Sequence, residues 1–386
     1  MQMPAPYALF RDDKRQESLL FGHPRDIVLA RTADEILPAL ERLEQARRNG
    51  FWLAGYVSYE AGHVFEDKLR ALIVDNRETP LIAMGIFDGP AAADSPLAIP
   101  PEAIETEPFL TDPHAAWDFP AYRNRFERVH DHLRRGDFYQ ANLTMPITAR
   151  WNGDPHAAFW SLVERQPVHY GALIDLGGPV ILSRSPELFF EVGSDGWIET
   201  HPMKGTAARG ANPVEDEAII AGMLADEKTQ AENRMIVDLL RNDISAISEV
   251  GSLSVPKLFE IETYPTVHQM VSHVRAKLLD NIGLPEIFRA LFPCGSVTGA
   301  PKMWAMRALA ELETSPRDVY CGAIGWCDPQ GPMRFSVAIR TLALFNDGRA
   351  VFNVGGGIVF DSNAEAEYEE CLLKARFALN SQEISR

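Results

Sequence analysis

Cysteine is scarce in this sequence: four residues in 386, at Cys294, Cys321, Cys327 and Cys371. None forms a CxxC pair, which excludes a zinc knuckle and a thioredoxin-type redox pair and leaves reduced, buried thiols as the expectation. Long apolar runs are missing too, and nothing approaches the roughly 18 residues that a membrane span requires. Residues 1–10 lack a basic stretch followed by an apolar one, so no secretory signal is expected and a cytoplasmic location is. Positive charge is in deficit: 37 Lys and Arg against 54 Asp and Glu give a net charge of −17. That balance argues against nucleic acid and against an anionic membrane surface as partners. A local basic site for a small anion stays open. A phosphate loop is also lacking. Residues 292–302 carry Gly295, Gly299 and Lys302 without the Gly-Lys-Ser/Thr ending, and Pro301 would interrupt the amide cradle. That turn is instead expected to aim Thr298 into a cleft, with Pro301 opening a helix.

The material for a core is present, since 46% of residues are hydrophobic and 24% charged. Helical spacing of Ile36, Leu37, Leu40 and Leu43 predicts a helix over 32–49, and strands are expected over 51–59 and 81–87. Residues 88–120, rich in Ala, Pro, Asp and Glu without periodicity, read as a linker. Beyond it a helix is expected over 121–135, stopped by Gly136. Strands follow over 168–176, 179–182 and 188–192, then one long helix over 215–241. Helices over 284–292 and 301–312 precede three strands over 319–326, 334–344 and 350–360. A last helix runs from a Ser362/Glu365 capping box to about 379. Strands in succession, mixed with helices without βαβ alternation, predict an α+β fold. No internal repeat is present.

Several polar residues carry both a structural and a chemical reading. Glu367, Glu370 and Lys374 share one helix face, as a solvated salt-bridged stripe or as part of a site. They follow the triplet Gly355-Gly356-Gly357, which suits a strand bend or close backbone approach to a ligand. Glu232, one turn from Ile236 on the apolar side of the long helix, is costly unless paired or metal-bound. With Glu370 it would form an oxygen-rich Mg²⁺ site. Lys204, between Pro202 and Gly205, is either a solvated turn residue or a buried amine of depressed pKa. Arg340 is expected in a strand, facing solvent or gripping a carboxylate. His268, Tyr320 and Glu187 have structural readings at least as ordinary as their chemical ones.

Taken together and in order, these segments resemble the chorismate-utilising enzymes. The matching pieces are residues 136–143 (Gly-Asp-Phe-Tyr-Gln-Ala-Asn-Leu), Ser185-Pro186-Glu187, the Lys204 turn and residues 231–243 with Glu232-Asn233. The 295–302 turn, Ala338-Ile339-Arg340, the glycine triplet and residues 367–374 complete the series, over about 118–380. The resemblance implies a large two-lobed antiparallel β-sandwich flanked by helices. Residues 1–117 would form an N-terminal segment packed on a catalytic domain over 118–386. Lysine in the Pro-x-x-Gly-Thr turn points to the aminodeoxychorismate synthase branch, because anthranilate synthases carry alanine there. Amination at C4 with retained stereochemistry needs two displacements, and a lysine amine makes the first. The alternatives are an isochorismate, salicylate or anthranilate synthase, or a non-catalytic regulatory member.

The resemblance further implies Lys204 as nucleophile and Glu187 as general acid and base. Glu232 and Glu370 would hold Mg²⁺ with Glu367 close by. His268, Thr298, Tyr320, Arg340, Gly356, Gly357 and Lys374 would bind chorismate. Residues 18–24 lack the Leu-Leu-Glu-Ser pattern of a tryptophan pocket, so tryptophan inhibition is not expected. No cysteine sits in a Gly-x-Cys-x-Gly elbow, so ammonia is expected from a separate glutamine amidotransferase subunit, or from solution. No segment for a lyase is seen, so the expected product is 4-amino-4-deoxychorismate, a precursor of p-aminobenzoate and folate.

Overall fold

The computed structural model of the protein describes residues 6–74, 77–92, 95, 97–101, 108–264, 267–379 and 384–385. Two antiparallel sheets, of nine and ten strands, lie face to face. The first is built on Gln140–Trp151 paired with Arg349–Ile358, in register from Arg150 opposite Arg349 to Ala141 opposite Ile358. Thr341–Leu344, Val180–Ser185, Tyr170–Asp175, Tyr7–Asp12 and Glu17–Gly22 extend it in that order. The second runs Met203–Ala208, Val267–Lys277, Trp197–Thr200, Leu188–Val192, Met333–Val337, Ala323–Cys327, Trp52–Val57, Ile82–Phe87, Asp26–Ala30. Ser254–Thr263 also pairs with Val267–Lys277.

Side chains alternate across each strand, and here both faces are buried. Ala172, Ile174 and Ile181 fill the layer between the sheets with Ala54, Tyr56, Ala83 and Phe87 of the other sheet. Their neighbours Leu173 and Leu182 point the other way, to Phe126 and Val129 of helix Phe119–Arg135 and to Tyr368 and Cys371 of helix Ala364–Leu379. On the outer face of the second sheet, Ile36, Leu40 and Leu43 of helix Ala33–Arg48 pack with Ile287, Phe288 and Leu291 of helix Leu284–Leu291. The first ninety residues therefore supply strands to both sheets. The α+β sandwich is as expected. Strand Leu110–Ala115 lies within the stretch read as linker, and residues 93, 94, 96 and 102–107 of that stretch fall outside the described residues.

Three expectations are corrected. The single helix over 215–241 is two, Pro213–Ala225 and Glu227–Ser245, because Asp226 leaves helical geometry and its side chain accepts from the Lys228 amide as an N-cap. The strand over 334–344 is also two, Met333–Val337 and Thr341–Leu344, and they belong to different sheets. The chain crosses between sheets at 338–340, where Arg340 adopts φ 51°, a left-handed conformation uncommon for a residue with a side chain. At the last helix the cap is Asn363, whose Oδ1 accepts from the Glu365 and Ala366 amides, while Ser362 Oγ donates to Glu367 Oε1 at 2.7 Å.

Candidate active site

A cavity of about 1060 Å³ opens where the two sheets meet helices Glu227–Ser245 and Ala364–Leu379. Its floor is set by a defect in a strand. Met203–Ala208 slips register against Val267–Lys277 between Met203 and Thr206, and Gly205 takes φ 85°. Such a bulge re-aims the side chain beside it, and Lys204 lines the cavity. A Cβ at Gly205 would stand 2.4 Å from Thr229 Cγ2, so the helix carrying Glu232 closes on the bulge because glycine is there. Gly205→Ala is expected to destabilise the fold by about 1–3 kcal/mol and to lower turnover. Urea unfolding and kcat read the two effects, and unchanged values would show that the bulge does not depend on glycine.

Lys204 is walled in by protein on every side but the cavity. Burial pushes its ammonium below the ordinary lysine value, against the opposing charges of Glu232 and Glu187. Gly357 comes close to it: a Cβ there would lie 3.4 Å from Lys204 Nζ. Glu187, 6% exposed, follows strand Val180–Ser185, and its amide donates to Ser185 Oγ at 3.2 Å. Burial pushes its carboxyl above the ordinary value, opposed by a hydrogen bond from Ser296 and by the charge of Lys204. Its Oε1 is buried without a hydrogen-bond partner. Together they put an amine shifted towards its neutral form beside a carboxyl shifted towards its protonated form.

Around this pair stand groups suited to anions. Arg340, lifted into the cavity by the sheet crossing, has no hydrogen bond or ion pair to its guanidinium among the described residues. A buried cation without a partner awaits one from a ligand. Tyr320 lines the same wall and is 8% exposed. Lys374 Nζ donates to Gly355 O at 2.8 Å and pairs with Glu370 Oε1 at 2.7 Å. Gly356 faces the same group, since a Cβ on it would sit 3.0 Å from Glu367 Oε2 and 3.8 Å from Lys374 Nζ.

The donors suit Mg²⁺ in kind: Glu232, Glu367 and Glu370 are carboxylates on one cavity. Glu232 has no hydrogen bond or ion pair among the described residues, as a carboxylate kept for a cation would. Glu367 is pushed up by burial and by the charge of Glu370, against the hydrogen bond from Ser362. The three do not gather their oxygens within 4.8 Å of one another. They fit an ion that takes one or two carboxylates and fills its remaining positions with water and substrate.

Two residues expected at the site are not brought to it. His268 is fully buried, its ring spanned by Thr263 Oγ1 at 2.9 Å and Asp216 Oδ1 at 2.8 Å, which ties helix Pro213–Ala225 to the sheet. Thr298 Oγ1 donates within its own turn to Cys294 O and Gly295 O, at 3.2 and 3.3 Å, and its neighbours Ser296 and Val297 line the cavity instead. Sequence reasoning missed Ser296. It also assigned no role to Gln140, fully buried with both amide atoms unpartnered and Nε2 2.8 Å from where a Gly357 Cβ would be. A polar side chain next to the apolar run that begins at Ala141 was the available signal.

Comparison with known proteins agrees with this geometry. Residues 5–380 match the family described as chorismate binding enzyme. The aminodeoxychorismate synthase of Streptomyces pristinaespiralis is 42% identical over 268 residues, 69% of this chain and 37% of that protein. Aminodeoxychorismate synthase component 1 of Klebsiella aerogenes is 38% identical over 317 residues, 81% of this chain and 69% of that protein. For component 1 of Escherichia coli K12 the match is 41% over 262 residues, 57% of its length, so the aligned part falls well short of some relatives. Anthranilate synthase component I of Streptococcus pneumoniae superposes with a TM-score of 0.79 at 28% identity, over 97% of this chain and 92% of that one. The menaquinone-specific isochorismate synthase of Escherichia coli shares the fold, with a TM-score of 0.74 at 17% identity over 98% and 90%.

Proposed function

This chain belongs to the chorismate-binding enzyme family, and from that premise we propose that it aminates chorismate at C4 to give 4-amino-4-deoxychorismate, for p-aminobenzoate and folate synthesis. The observation that carries this reading is Lys204, an enclosed amine beside the buried carboxyl of Glu187. The neutral Lys204 amine adds to C2 of the ring. The ring double bonds shift, and the C4 hydroxyl leaves as water with the proton of Glu187. Ammonia then attacks C4, the C2–N bond breaks, and the electron pair returns to Lys204 as a neutral amine. The new C4 ammonium returns a proton to Glu187. Two displacements leave the stereochemistry at C4 unchanged, and the net reaction consumes ammonia and releases water.

Arg340, Tyr320, Lys374 and the amides near Gly356 and Gly357 hold the two substrate carboxylates in this reading. Glu232 and Glu370, with Glu367 alongside, would hold Mg²⁺, which when bound supplies positive charge for the ring carboxylate. Ammonia comes from a separate glutamine amidotransferase, in keeping with the "component 1" in the names of the relatives. No helix among the described residues is long and apolar enough to cross a membrane, which accords with a cytoplasmic enzyme.

The deciding experiment incubates the purified chain with chorismate, Mg²⁺ and ammonium and identifies the product by mass and NMR. Isochorismate, salicylate or anthranilate as the main product overturns the reading. Glu232→Gln and Glu370→Gln are each expected to raise the Mg²⁺ concentration for half-maximal rate by at least about tenfold, the loss seen even for outer-shell partners of metal ligands. An unaltered requirement would exclude them as ligands.

A further inference from the structure

A second cluster of ligand-type side chains lies outside the cavity, on the strand pair Ser254–Thr263 and Val267–Lys277. Glu260 and Glu262, two apart on one strand, share a face. A register shift between Lys257 and Glu260, where Phe259 takes φ 58°, sets them against His273 of the neighbouring strand. One oxygen of each carboxylate and one ring nitrogen of His273 all lie within 4.8 Å of one another. His273 Nε2 stands 3.7 Å from Glu260 Oε2 and 4.0 Å from Glu262 Oε1, too far for a hydrogen bond to either. It is buried with no hydrogen-bond partner at all. None of the three residues lines the cavity.

We propose that Glu260, Glu262 and His273 form a site for a first-row divalent transition metal of the zinc class, separate from the chorismate cavity. The spacing suits it. Ligands about 2.0–2.2 Å from a tetrahedral ion stand about 3.3–3.5 Å apart, so the observed gaps need close by only a few tenths of an ångström. The donor set of one imidazole and two carboxylates is borderline, which favours zinc, cobalt or nickel over Mg²⁺. Tyr264 OH donates to Glu262 Oε2 and leaves Oε1 turned to His273. Such an outer hydrogen bond orients a metal ligand. His201 stacks on His273 with ring centroids 3.9 Å apart, and its own Nε2 is also buried without a hydrogen bond, so a fourth donor stands at hand. Lys257 Nζ now sits against Glu260, 2.9 Å from Oε1 and 2.7 Å from Oε2. Its side chain is 51% exposed and is free to swing away, so a dication would replace it as counter-charge to Glu260. Three protein ligands leave a position for water. The ion would pin Ser254–Thr263 to the strand that also carries Gln269, a cavity-lining residue.

The test titrates the untagged chain with Zn²⁺ by calorimetry in excess Mg²⁺, which keeps the cavity carboxylates occupied. Co²⁺ is followed in parallel by its visible absorption. One equivalent of Zn²⁺ is expected to bind and to raise the melting temperature. His273→Ala and Glu262→Gln are each expected to weaken binding by at least about tenfold, while Lys257→Met tightens it by removing the competing ammonium. Chorismate turnover does not enter these readouts, so the proposal stands or falls apart from the function above. Absence of Zn²⁺ binding overturns it, as does binding that survives both ligand substitutions. Should His273→Ala fail to fold, Glu262→Gln and Lys257→Met still decide, since both change half-exposed side chains.

Discussion

Lys204→Ala is expected to abolish 4-amino-4-deoxychorismate formation, by about 10³-fold or more in kcat, the order seen when a covalent nucleophile is removed. Any residual turnover should shift towards anthranilate, because direct amination at C2 needs no lysine. The fold should survive the change. Burial holds the Lys204 value below that of the unfolded chain, so below the folded value the group destabilises the native state. That handicap fades as pH rises towards the unfolded value of about 10.4. Lys204→Ala removes it and should melt no lower than the parent at neutral pH, with any advantage shrinking in alkali. Product analysis, single-turnover trapping of the adduct by mass, and melts across pH check each part. Unchanged production of the C4 amine would remove lysine from the mechanism.

The residues that reach the cavity come from widely separated segments, and their spacing along the chain says nothing of their meeting. The resemblance carried them as a set: Lys204, Glu187, Glu232, Tyr320, Arg340, Gly357, Glu367, Glu370 and Lys374 all line one cavity. Local pattern carried less. Helix Ala33–Arg48 was legible because its apolar residues recur at helical spacing and Glu35 accepts from the Arg31 and Thr32 amides. Strand faces were not, because Leu173 and Ile174 are both buried and alternation leaves no trace when both faces are apolar. Arg340 read as a strand residue since its neighbours are β-formers, and only the change of sheet puts it in a left-handed turn. His268 and Thr298 look like pocket residues until their partners are known. Those partners, Asp216 on a helix 52 positions away and the carbonyls of the same turn, satisfy them where they are. Glu260, Glu262 and His273 drew no notice because a one-residue bulge and a strand pairing, not a motif, bring them together.

Glu187→Gln is expected to cost about 10²–10⁴ in kcat, the range for loss of a general acid, with little change in KM because the amide keeps the shape of the carboxyl. Its pH signature separates this from a structural effect. The acid must be protonated when the C4 oxygen leaves, and burial raises its value above the ordinary carboxylate range. The parent rate should therefore fall as pH rises through that elevated value. It should also fall at lower pH, as the amine of Lys204 takes up a proton below its own depressed value. The outcome is a bell whose limbs belong to the coupled pair. In Glu187→Gln the alkaline limb should vanish while the acidic limb stays. Stability follows the same sign. A carboxyl raised in the folded state stabilises it below the unfolded value of about 4.3 and loses that contribution as pH climbs through the folded value. The glutamine variant, which never ionises, should hold its melting temperature across that window while the parent declines. A parent-like bell in the variant would mean that the proton for the departing hydroxyl comes from elsewhere in the cavity.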